Sequence, residues 1–67
     1  PYNMTKEEAH IEAQRIAEDI YEEHGEFAPH GVITLEEAKE TVSTYGYEGS
    51  DLEEISRELV GIMEGII

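Results

Sequence analysis

Residues 34–66 read TLEEAKETVSTYGYEGSDLEEISRELVGIMEGI, and this stretch decides the fold. It holds two helix-start signals of one kind: Thr34-Leu35-Glu36-Glu37 and Ser50-Asp51-Leu52-Glu53. In such a capping box the hydroxyl accepts from the amide three residues on, and the Glu carboxylate reaches back to the cap amide. After each signal the apolar residues recur at helical spacing. Leu35, Ala38, Val42 and Tyr45 step by 3, 4 and 3, and Leu52, Ile55, Leu59, Ile62 and Ile66 by 3, 4, 3 and 4. Neither series alternates as a strand would. Between them, Gly46-Tyr47-Glu48-Gly49 is short enough to make the two helices neighbours, with Gly46 suited to a left-handed stop.

The same punctuation appears upstream. Thr5-Lys6-Glu7-Glu8 is a third capping box, and Ala9, Ala13, Ile16 and Ile20 step by 4, 3 and 4, with Ala17 and Tyr21 widening the stripe. Gly25 is the matching stop. Helices are expected at about 5–24, 34–45 and 50–65. Residues 25–33, Gly-Glu-Phe-Ala-Pro-His-Gly-Val-Ile, form the longer link, from which Pro29 excludes helix and Phe27, Val32 and Ile33 are expected to reach the core. The expected fold class is all-α, a small three-helix bundle, with residues 1–67 as a single acidic helical domain.

Charge bounds the function. Seventeen Asp and Glu face four Lys and Arg, a net charge of −13. Such a surface repels nucleic-acid phosphates and favours basic protein surfaces. A helix-turn-helix reading of 34–65 fails for the same reason, because its second helix would offer DNA Asp51, Glu53, Glu54 and Glu58 against only Arg57. No apolar run approaches the length needed to cross a bilayer. Pro1-Tyr2-Asn3-Met4 lacks the basic and apolar regions of a signal peptide, so a cytoplasmic location is expected.

Catalytic constellations are missing. There is no Cys, no Ser in a nucleophile-elbow or triad-like context, and no glycine-rich phosphate loop, so the reading is non-enzymatic with no cofactor. Glu7-x-x-His10 has the spacing of a carboxylate-bridged di-iron ligand pair, but that site needs a second copy and two further Glu. Residues 26–37 have the length of a calcium loop, with Gly31, Ile33 and Glu37 in the appropriate places. Its third and fifth positions carry Ala28 and His30, where short oxygen ligands belong, so a metal-responsive helix-loop-helix switch ranks third among the readings.

The leading reading uses the first helix. Glu8, Glu12, Asp19, Glu22 and Glu23 are expected to form an acid face opposite Ala13, Ile16 and Ile20, with Arg15 pairing Asp19. Carboxylates three or four residues apart rise about 4.5–6 Å along a helix. That loosely matches phosphates advancing about 3.4 Å per nucleotide. The chain would then bind, and inhibit by electrostatic mimicry, a basic protein that handles nucleic acid or nucleotides. An inhibitor encoded by a phage or mobile element has this size and charge. The second reading is a regulatory or assembly module that self-associates as a homodimer through Tyr45, Leu59, Ile62, Met63 and Ile66. There Gly61 and Gly65 would let another helix approach closely.

Overall fold

Both of the first two capping boxes form. Thr5 N–H donates to Glu8 Oε1 at 2.9 Å and Glu8 N–H returns to Thr5 Oγ1 at 3.1 Å. Thr34 and Glu37 repeat the exchange at 2.9 and 3.1 Å. Each cap contributes about 1 kcal/mol. The computed structural model describes residues 4–24 and 34–66, the side chains of residues 24, 65 and 66 excepted. Among the described residues are three helices, α1 (Lys6–His24), α2 (Leu35–Ser43) and α3 (Gly49–Ile66), arranged as a three-helix bundle. The link 25–33 lies outside the described residues, and with it Gly25, Phe27, Val32, Ile33 and positions 26–33 of the calcium-loop reading.

The ends of α2 and the start of α3 differ from expectation in detail. α2 stops at Ser43, two residues early, and passes into a tight turn. There Thr44, Tyr45 and Gly46 donate to the carbonyls of Thr41, Val42 and Ser43 at 3.1, 3.0 and 3.0 Å. Gly46 closes that turn at φ +94°, the left-handed conformation expected of it. The third capping box does not form. The chain enters α3 through Gly49, at φ +65°, so Ser50 already lies inside the first turn. A capping residue must sit half outside the helix in extended geometry, which Ser50 no longer does. Glu53 instead accepts from Arg57 Nη2 at 3.1 Å.

Two cross-links set the arrangement of the helices. Met4 N–H donates to Asp51 Oδ1 at 3.2 Å, and His10 Nδ1 meets Glu58 Oε1 at 2.7 Å. The sequence offsets, 47 and 48, are almost equal, so α1 and α3 run side by side with the same polarity. α2, joined to α3 by the short turn, runs back between their ends. α3 packs against both other helices, whereas α1 and α2 meet weakly.

The core follows most of the periodicity read from the sequence, but Tyr21, Leu35 and Tyr45, which the stripes include, lie at the edges of their helix faces and are exposed. Ala9, Ala13, Ile16 and Ala17 of α1, Ala38 and Val42 of α2, and Ile55, Leu59 and Met63 of α3 are buried together. Met4, Ile20, Tyr47, Leu52, Val60 and Ile62 pack around that cluster. Three of the four α1 residues are alanines at i, i+4 and i+8, a smooth seam that lets α3 come close. Ser56 is fully buried, but its hydroxyl donates to Leu52 O at 2.6 Å, so no polar group is left unpaired there. Gly61 gives no sign of close packing within the chain, since a Cβ at that position would meet nothing within 4 Å.

Candidate interaction surface

A carboxylate can serve a partner only if the fold has not already used it. Of the five acid-face residues, Glu8 is engaged in the cap of its own helix. Glu12 receives the Tyr47 hydroxyl and lies 2.6 Å from Arg15 Nη1. Asp19 receives the Tyr45 hydroxyl at 3.4 Å. Glu22 and Glu23 remain exposed, and among the described residues no cation contacts them. The expected single free face is therefore corrected: the structure divides these residues into a clasped set and an open pair. Arg15 is corrected as well, because it hydrogen-bonds to Glu12 and not to Asp19.

The reason is angular. Successive helical residues advance about 100°, so Glu12 stands about 100° from Ala13, beside the core and not opposite it. That flank is where the α2–α3 turn arrives. Gly46 reverses the chain between two tyrosines, and each phenol reaches back to a carboxylate of α1, Tyr47 to Glu12 and Tyr45 to Asp19. The charges respond. The Tyr47 hydroxyl, opposed by partial burial and assisted by Arg15, holds the Glu12 carboxyl below its ordinary value. The Glu12 bond and burial push the Tyr47 phenol up, and burial with Asp19 and Glu23 does the same to Tyr45. Glu12 in turn raises the Arg15 guanidinium.

These shifts carry a pH dependence. Because the folded Glu12 value is depressed, its contribution is present above the unfolded value and disappears as pH falls through the folded one. The raised Tyr47 value gives the mirror case: its contribution is present below the unfolded phenol value and disappears as pH rises through the folded one. The clasp thus holds across the neutral range. Tyr47→Phe should lower stability by about 1 kcal/mol at neutral pH, near the middle of the range for a hydrogen bond. In urea melts the difference between parent and variant should shrink on acidification below the glutamate range. A difference that stays constant with pH would assign the loss to ring packing instead.

The apolar set proposed for self-association also divides. Leu59 and Met63 are 0% and 2% exposed and belong to the core, so they offer nothing to a second chain. This corrects their place in that contact: the α3 stripe is already covered by α1 and α2. Tyr45 remains exposed, Ile62 is half-buried, and the Ile66 side chain lies outside the described residues. His10 is exposed at the surface and meets Glu58, linking two helices. Among the described residues no group of three His, Cys, Asp or Glu side chains could hold a metal ion. Among them, too, no helix is long and apolar enough to cross a membrane.

Sequence reasoning missed the other side of α1. Ile11 is 56% exposed and Tyr21 48%, making them the most exposed large apolar residues described. Glu7, Glu18 and Glu22 stand among them, exposed and, among the described residues, without a cation in contact. Positions 7, 11, 14, 18 and 21 step by 4, 3, 4 and 3, the spacing of one helix face. The signal was legible but mixed, because Glu and Gln alternate with the two apolar residues and no apolar stripe stands out. No family model, no curated protein and no solved structure matches this chain.

Proposed function

We propose that this chain is a non-enzymatic binding module whose carboxylate-rich surface engages a basic protein and occludes the site where that protein takes anionic ligands. One observation carries the reading. Among the described residues Glu7, Glu18, Glu22, Glu23, Glu36 and Glu40 are all exposed with no cation in contact. Folding leaves these charges unneutralised, and they repel one another in the free molecule. A basic surface relieves that repulsion and is drawn toward the chain over a range of about 8–10 Å at ordinary ionic strength.

The test neutralises charges that the fold does not use. Converting Glu18, Glu22 and Glu23 to Gln removes three exposed carboxylates and leaves both tyrosine clasps in place. The parent chain, immobilised and exposed to lysate of its native host, should retain basic proteins at low salt and release them at high salt. The triple variant should associate with the retained protein about tenfold more slowly at low salt, with the gap closing as salt rises. Retention that is indifferent to both salt and substitution would leave the charge as a solubility device and end the proposal.

A further inference from the structure

The open side of α1 is continuous with a groove. Two shallow depressions lie along α1 where it meets α3, one of them holding the His10–Glu58 pair. One is bordered by Lys6, Glu7, His10, Ile11 and Glu58, so its rim carries one cation beside the two carboxylates. The other is bordered by Gln14, Ala17, Glu18, Tyr21, Glu22 and Ile62, and reaches Asp19 at its edge. Each depression is formed mainly by α1 and touches α3 at one described residue, Glu58 in the first and Ile62 in the second. The apolar landmarks Ile11 and Tyr21 are ten residues apart, about 15 Å along the helix. No α2 residue borders either depression among the described residues.

We infer that this α1–α3 groove is a docking site for a basic amphipathic helix of another protein, seated on Ile11, Tyr21 and Ile62 and flanked by Glu7, Glu18 and Glu22. The inference rests on the charge reading above and narrows it to one face and one kind of partner. Helices recognised in grooves present apolar anchors at i, i+3, i+4 and i+7, and a site about 15 Å long accepts about three such turns. Charge complementarity selects the occupant. A second copy of this chain carries a net charge of −13 and would set carboxylate against carboxylate. Nucleic acid and anionic membrane surfaces are repelled by the same rim. A helix with lysines or arginines beside an apolar stripe satisfies both the floor and the rim.

The experiment uses two synthetic peptides of identical leucine and lysine composition, each about 18 residues, roughly 27 Å if helical. One is ordered as an amphipathic helix and the other is scrambled. Each is titrated into the full chain at about 0.15 M salt, where long-range charge effects are screened, and followed by amide NMR. The ordered peptide should shift amides of residues 11, 14, 18, 21, 58 and 62 and bind at least about tenfold more tightly than the scrambled one. Ile11→Gln combined with Tyr21→Gln, both at exposed positions, should remove that advantage, with the helical circular dichroism of the free chain unchanged. The shift map on the unaltered chain stands by itself should the double variant lose structure. Shifts confined to the Tyr45–Tyr47 side would overturn the groove. So would equal binding of the two peptides; if that binding weakens with salt and with Glu18→Gln and Glu22→Gln, the charge reading survives alone. Failure of both peptides to bind even at low salt would remove both proposals.

Discussion

Leu59→Ala should lower the free energy of unfolding by about 2–5 kcal/mol, the range for truncating a buried leucine. Leu59 is fully buried at the middle of α3, the one helix that packs against both others. Its loss leaves a void facing two partners, and the alanine seam of α1 has no longer side chains with which to fill it. At about 0.05–0.15 kcal/mol per residue, a chain of 67 residues has roughly 3–10 kcal/mol in total. The variant should therefore be partly or wholly unfolded at 25 °C, seen as a urea midpoint shifted far toward zero with little change in slope. A loss below about 1 kcal/mol would mean that the site collapses freely and that α3 is not the central helix.

Ala13→Leu tests the same seam from the opposite direction. Ala9, Ala13 and Ala17 are buried at 0%, 0% and 3% exposure, and their small side chains set the distance between α1 and α3. Leucine is nearly as good a helix former as alanine, so propensity costs little. Three extra carbons at Ala13 must nevertheless push α3 away or force strained rotamers, for about 1–3 kcal/mol. In thermal melts each kcal/mol should appear as about 4–8 °C for a chain of this size. The neighbouring exposed position supplies the control: Gln14→Leu should stay within about 0.5 kcal/mol. If Ala13→Leu were neutral or stabilising, the α1–α3 interface would be loosely packed. The helix alignment drawn from Met4–Asp51 and His10–Glu58 would then lose its physical basis.

Much of the fold was legible because its signals are local. The capping boxes at Thr5 and Thr34 require only residues three apart, and both form with the expected exchange of hydrogen bonds. The apolar stripes named Ala13, Ile16, Val42, Ile55 and Leu59, and all of them are buried. The failure at Ser50 is instructive for the same reason. Its box is as well spelled as the others, but Gly49 starts the helix one residue earlier and takes Ser50 out of the capping position. When two start signals overlap, the spelling of one does not decide between them.

The candidate surface was less legible, because which face of a helix stays free depends on how helices dock. Sequence determined that α1 carries a high density of carboxylates beside an apolar stripe, for that needs only the 3.6-residue period. Which carboxylates stay free was decided by the tertiary structure alone. The parallel alignment of α1 with α3 brings the Tyr45-Gly46-Tyr47 turn against one flank, where Glu12 and Asp19 accept two phenols. The opposite flank keeps Ile11, Tyr21, Glu18 and Glu22 at the surface. Glu12 and Tyr47 are 35 residues apart, and no local period links them. Helical geometry fixes the angle between neighbours on one helix, but the use of each angle is settled by the packing of helices distant in the chain.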